Sequence, residues 1–268
     1  MKLYCNRPSH SVLPSFYPFS TSIFILGFLT SWTNSWHYSP TPWLLFFLRG
    51  VVLSRASWAL DVKTEKTLGF HTLPVNQSLR FGMILFISSE VMFFFSFFWA
   101  YFYASRSPVI QLGALWPPIS HSEVIVDNWA IPLLNTLLLV SSGARVTWCH
   151  ETLTLSSKDV PTGLRALLLS VCLGVSFLLL QVYEYASIPL SFKSLVLGSS
   201  FFILTGFHGF HVVIGTLLLL RTLFSINSLS VSTHSLTYFE CASWYWHFVD
   251  VVWLFLFLFI YGVYNSLI

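Results

Sequence analysis

Long apolar runs separated by short polar connections occupy nearly the whole chain. A helix needs roughly 20 mostly apolar residues to cross a bilayer. Seven stretches approach or meet that length: 16–36, 43–58, 79–105, 129–148, 164–185, 194–220 and 244–264. The second is the shortest. Trp and Tyr collect at their ends, as Trp32, Trp36 and Tyr38; Tyr101 and Tyr103; Trp129 and Trp148; Tyr183 and Tyr185; Tyr261 and Tyr264. Amphipathic rings settle at the membrane–water boundary, so this placement marks the rims of the spans. The longest connection follows the third span and contains Trp116-Pro117-Pro118. No repeat or low-complexity linker interrupts the pattern.

Composition turns that pattern into a membrane assignment. Of 268 residues, 55% are hydrophobic, 18% aromatic and only 9% charged, and the mean hydropathy is +0.73. Soluble domains carry roughly 25% charged residues to keep their surfaces wet, and this chain has too few. A net charge of +3 with no basic tract argues against nucleic acid as a partner. Cys5, Cys149, Cys172 and Cys241 are far apart, which fits isolated apolar side chains better than a disulfide framework or zinc site. The opening residues resemble neither a secretory signal nor an Arg/Ser-rich transit peptide.

Basic residues orient the seven spans. One side carries Lys2, Arg7, Arg49, Arg55, Lys63, Lys66, Arg80, Arg145, Lys158, Arg165 and Arg221; the other carries Arg106 and Lys193. Cytoplasmic-type loops retain Lys and Arg, so the asymmetry places the N-terminus inside and the C-terminus outside.

The few polar groups within the spans are the functional candidates, because an ionisable residue at mid-bilayer costs a few kcal/mol, about 2.5–3.5 on insertion scales. Glu90 lies near the middle of the third span. It reads either as a proton-exchanging or lipid-facing acid, or as a protonated carboxyl that fixes helix packing. His208 and His211 share a face of the sixth span at i and i+3. They could ligate a metal or haem, but a pair leaves a coordination shell unfilled. Gly206 and Gly209 beside them suggest instead a close helix approach bridged by the histidines. His247 and Asp250 are one turn apart at the start of the seventh span and can satisfy each other. Glu184, like Glu240, falls near a predicted helix end, where a carboxylate can reach water. Trp58, His71, Arg80 and Arg221 lie near the inner interface, as snorkelling anchors or as a phospholipid headgroup site. No site for independent redox chemistry, nucleotide binding or nucleophilic catalysis is expected: there is no convergent set of histidines, phosphate loop or nucleophile–base pair.

Several ordered blocks carry a resemblance. They are Arg80-Phe81-Gly82-Met83-Ile84-Leu85-Phe86-Ile87-Ser88-Ser89-Glu90, Phe98-Trp99-Ala100, Trp116-Pro117-Pro118 and Pro132-Leu133-Leu134-Asn135-Thr136. Gln181 with Glu184-Tyr185, Thr205-Gly206-Phe207-His208-Gly209-Phe210-His211 and Trp244-Tyr245-Trp246-His247-Phe248-Val249-Asp250-Val251-Val252-Trp253 complete them. In order and spacing, from His71-Thr72 to the C-terminus, they closely resemble cytochrome c oxidase subunit III. Departures from the family lie mainly in the first 60 residues, where only hydropathy and Trp58 look similar, and Ser57-Trp58 has one tryptophan where many relatives have a pair.

The resemblance implies an all-α polytopic membrane protein of seven transmembrane helices, with helices 1–2 splayed from helices 3–7 to form a lipid-filled cleft. The corresponding division is a two-helix segment over 1–66 and a five-helix bundle over 67–268. It further implies a non-catalytic core subunit of a proton-pumping oxidase, complex IV of aerobic electron transport, that stabilises catalytic subunit I and supports proton uptake. Haem a and copper would sit in partner subunits, and this chain would carry phospholipids but no redox cofactor or metal. Glu90 matches the family's carbodiimide-reactive acid. Trp58, His71, Arg80 and Arg221 would bind lipid, and His208, His211, His247, Asp250 and Glu184 would form a structural polar network. The implied partners are subunits I and II, accessory subunits and phospholipids including cardiolipin, with a respiratory supercomplex admitted. The implied location is the mitochondrial inner membrane, N-terminus in the matrix and C-terminus in the intermembrane space; a bacterial plasma membrane stays open. Subunit III of a quinol oxidase and a stand-alone proton pathway through Glu90, His208 and His211 are the alternative readings.

Overall fold

The structure is a computed structural model that describes residues 12, 14–37, 42–108, 116, 130–155, 160–188, 190–193, 195–227 and 236–262. Lys2, Cys5, Arg7, Tyr38, Pro117, Pro118, Trp129, Lys158, Ser194 and Tyr264, used above, lie outside the described residues. Seven α-helices follow in order: α1 Tyr17–His37, α2 Trp43–Thr67, α3 Leu73–Arg106, α4 Ile131–Leu155, α5 Val160–Ser187, α6 Leu195–Asn227 and α7 Thr237–Leu256. Helix α7 runs on into a wider π-helical turn, Phe257–Gly262. The protein is an all-α polytopic membrane protein, and five of its helices are individually long and apolar enough to cross a bilayer.

Most helices outrun the apolar runs that announce them. The second span, expected over 43–58, continues to Thr67. Its last turns carry Asp61, Lys63, Glu65 and Lys66, which end the hydrophobic pattern but are compatible with a helix. Gly69 stops it. With φ at +81°, Gly69 donates its N–H to the Lys66 carbonyl while Phe70 donates to Glu65, the paired closure that a left-handed residue after a helix makes possible. Likewise α7 begins at Thr237, a turn and more before the expected start at 244.

The chain forms two compact units, residues 1–81 and 82–268. In the first, α1 and α2 pack side by side. The Phe47 ring covers Gly27 and the Phe24 ring covers Gly50, so a Cβ at either glycine would collide with a ring.

In the second unit α4, α5, α6 and α7 close a ring of neighbours, each packed on the next and α7 returning to α4. Trp246 keys this ring. It is fully buried, and its indole fills the space left by Gly174 on α5 and Gly215 on α6. Its Nε1–H donates to Ser142 Oγ on α4 at 2.9 Å. Trp253, also fully buried, repeats the device nearer the end of α7 by donating to Thr136 Oγ1 at 3.0 Å. Small residues that admit large neighbours are the usual means of packing helices where lipid removes the hydrophobic drive between them. The close approach expected at Gly206 and Gly209 does not occur. Gly209 faces open space and Gly206 has only the Tyr185 hydroxyl at 3.8 Å.

Helix α3 packs on α6 and α7 differently, through long aromatic side chains. Phe93 meets Phe207 edge-on at 5.0 Å, Phe86 stacks on Tyr245 at 6.2 Å and Phe102 meets Phe259 at 5.2 Å. The Tyr101 hydroxyl donates to the Phe259 carbonyl at 3.3 Å.

Candidate functional site

Three polar clusters occupy the second unit. The first joins α3 to α6: His211 Nε2 lies 3.0 Å from Glu90 Oε2. Both residues sit at the centres of their helices, α3 Leu73–Arg106 and α6 Leu195–Asn227. At 1.5 Å rise per residue, each is roughly 25 Å from either helix end. The neighbouring hydroxyls cannot serve the carboxyl, because Ser88 donates to the Ile84 carbonyl and Ser89 to Phe86. Rings surround the imidazole, with Phe94 at 5.1 Å and Tyr245 stacked at 6.3 Å.

The hydrogen bonds fix the pair's charge. His211 Nδ1 is 2.7 Å from the Phe207 carbonyl oxygen, an acceptor, so Nδ1 carries a proton. Facing lone pairs on Nε2 and a carboxylate would repel, so one proton must lie between Glu90 and His211. Whether it rides on oxygen or nitrogen, the pair is neutral overall. A neutral pair meets the mid-bilayer penalty that an isolated carboxylate would face.

The second cluster ties α4 to α7. Thr147 donates to the Gly143 carbonyl at 3.2 Å, so its oxygen accepts from His247 Nε2–H at 3.3 Å. His247 Nδ1 then faces Asp250 Oδ2 at 3.9 Å. That oxygen lies where a side chain at residue 143 would project, which only glycine permits. The third cluster lies between α5, α6 and the end of α7. His208 donates from Nε2 to the Val249 carbonyl at 3.2 Å, between the rings of Phe177 and Trp253. Tyr185 donates to Thr205 Oγ1 at 2.6 Å, since Thr205 spends its own proton on the Phe201 carbonyl. Glu184 faces the Tyr261 hydroxyl.

The five residues expected to form one polar network are therefore spread over three clusters. His211 pairs with Glu90 and not with His208; His247 and Asp250 meet each other; Glu184 belongs with Tyr261. Glu184 is also not at a wet helix end. It is 2% exposed, because α5 continues to Ser187 and the π-helical turn of α7 packs Tyr261 beside it. Residues missing from the sequence reading are Thr136, Ser142, Thr147, Gly143, Gly174 and Gly215. Their interhelical partners are distant in sequence, so only the Asn135-Thr136 block gave any signal.

The basic candidates are arranged around aromatic rings. Arg221 lies 5.0 Å over the Tyr238 ring and Arg55 lies 5.1 Å over Trp58. His71 sits in the α2–α3 connection, where partial burial lowers its pKa, Glu65 opposes that shift and Lys66 adds to it. Arg80 is near the start of α3. Trp58, His71 and Arg80 belong to the first unit and Arg221 to the second. Among the described residues no three His, Cys, Asp or Glu side chains converge as a metal site would require.

Residues 7–265 match the family model described as cytochrome c oxidase subunit III. The chain is 44% identical over 265 residues to cytochrome c oxidase subunit 3 of Aedes aegypti, covering 97% of this chain and 98% of the relative. The chain belongs to the cytochrome c oxidase subunit III family. The Pisaster ochraceus protein of the same name is 46% identical over 260 residues, covering 96% of this chain and 97% of that one, and that of Locusta migratoria is 43% identical over 257, 96% of each. Family membership thus extends through the first 60 residues, where the motif blocks do not reach.

Proposed function

We propose that this chain is a non-catalytic core subunit of the mitochondrial terminal oxidase. It packs on catalytic subunit I, supports proton uptake there and holds phospholipid during aerobic electron transport. The observation that carries the reading is the full-length match to a family whose members are named as oxidase subunits. The site geometry supports the non-catalytic part. Its polar clusters pair internally and tie helices together, as a scaffold requires, and haem a and copper belong to partner subunits. The basic asymmetry supports a matrix N-terminus. Arg221, Arg80, His71 and Trp58 supply the cations and rings that headgroups use.

Gentle solubilisation of the native membrane, with an optical spectrum and subunit masses of the complex holding this chain, tests the reading. Haem a signals with subunits I and II present are expected. A haem-free complex lacking those subunits would overturn the reading, and a quinol-oxidising partner set would move it to the other oxidase class.

A further inference from the structure

The α4–α7 ring encloses a polar level near the end where α4 begins and α7 finishes. Contacts between the helices set its register. Gly163 of α5 lies against Leu153 of α4, and Ser170 donates to the Ser142 carbonyl. In this antiparallel pair Asn135 therefore comes level with Phe177 and Gln181. Phe177 meets His208 of α6, and Tyr185 meets Thr205, which brings His208 level with Gln181. Trp253 of α7 donates to Thr136, next to Asn135. Asn135 also falls on the buried stripe of α4 with Leu139, Ser142 and Val146, the spacing of one helix face, so it points into the ring.

Asn135 is fully buried, and Gln181 and His208 are 5% and 1% exposed. The amide atoms of Asn135 and Gln181, and Nδ1 of His208, have no hydrogen-bond partner among the described residues. The nearby hydroxyl protons are already committed. Thr136 gives its proton to the Pro132 carbonyl and Thr205 to that of Phe201, while Tyr185 gives its own to Thr205. The Tyr261 hydroxyl lies beside both Gln181 and Glu184 and has one proton for the two. His208 donates from Nε2 to the Val249 carbonyl, so its Nδ1 offers a lone pair that needs a donor. Buried polar groups are nearly always bonded, to protein or to ordered water.

The unmet groups decide the chemistry of the ligand. Asn135 Oδ1, Gln181 Oε1 and His208 Nδ1 need donors, while the two amide nitrogens need acceptors. A cation would serve only the first set and an anion only the second. Water serves both. We propose that this level of the ring binds ordered water molecules, which bridge Asn135, Gln181 and His208 and reach the Glu184 carboxyl. The path for water is short. Asn135 is one turn from the start of α4, Gln181 and Glu184 are within two turns of the end of α5, and Tyr261 lies in the π-helical turn that follows α7. The site is distinct from the Glu90–His211 pair, where both imidazole nitrogens are used within the protein. It rests on the helix packing alone and not on the oxidase reading.

X-ray radiolysis of the intact native complex, equilibrated in heavy-oxygen water, tests the proposal. Radicals formed from bound water oxidise the side chains beside it, even where bulk solvent has no access. Trp246 is the internal control, because it is as fully buried as Trp253 but is packed against Gly174 and Gly215. Trp253 and Tyr261 are expected to take up heavy oxygen several-fold more than Trp246. Asn135→Leu and Gln181→Leu should each bring that excess down to the Trp246 level, with haem and subunit content unchanged. Equal protection of Trp246, Trp253 and Tyr261 in the wild type, or an unchanged excess in both assembled variants, would overturn the proposal. So would a high-resolution map of the native complex in which the Asn135 and Gln181 amides bond directly to each other. The wild-type comparison stands whether or not a variant assembles, and haem content on the same sample separates its failure from that of the oxidase reading.

Discussion

Helix α3 and the α4–α7 ring hold together by different means. In the ring, glycines let backbones and indoles interlock: Trp246 enters the space of Gly174 and Gly215, and Asp250 lies against Gly143. Helix α3 instead rests on phenyl edges and one shared proton between Glu90 and His211. Most of its other large side chains point away from the bundle, with Met92, Trp99 and Tyr103 each about two-thirds exposed or more. The ring has the tolerances of a jigsaw, where an added methyl is felt. The α3 seam has those of a stacked surface, where rings can shift. Helix α3 is thus held by fewer and more adaptable contacts than the helices of the ring, with Glu90–His211 as its polar pin.

The sharpest way to break the contrast is to fill the interlock. Gly174→Leu places atoms inside the van der Waals space of Thr216 and Trp246, where even a Cβ would lie at 2.6 and 2.7 Å. Overpacking of this kind costs about 1–3 kcal/mol and occasionally more. The expected result is loss of assembled complex or a large drop in its melting temperature, while the open position Gly209 should accept alanine unchanged. Next in size is Glu90→Leu. It leaves His211 Nε2 without a partner, a loss of about 1–3 kcal/mol, and should loosen α3 while sparing the ring. Faster amide exchange confined to α3 would show it; equal loosening of α4–α7 would erase the distinction. Smaller still is Trp253→Phe, which keeps the ring stacking and removes the bond to Thr136. About 1 kcal/mol is expected, read as a modest fall in thermal stability with normal haem content.

The fold was legible because lipid imposes a length and a composition on every span. Helix ends were less so. Charged residues such as Lys63 and Glu65 end an apolar run without ending a helix, and only Gly69 supplies a physical stop. Among site residues, Glu90 stood out because a carboxyl at mid-span needs a partner, and that necessity is visible in one segment. Its partner's identity was not, since His208 and His211 look alike in sequence and only the rotation of α6 decides which one faces α3. Glu184 was misplaced for a related reason. A residue near the end of a span can reach water or a neighbouring helix, and the turn that brings Tyr261 to it is 77 residues away in the chain.

The most direct measurement is turnover by the assembled oxidase carrying Glu90→Gln. A glutamine can still donate to His211 Nε2, so docking of α3 is kept while the exchangeable proton is removed. A non-catalytic, supporting role predicts normal haem content, a modest loss of initial electron-transfer rate and an altered active lifetime under sustained turnover. Complete loss of electron transfer in a fully assembled complex would place Glu90 in the reaction itself and contradict that role.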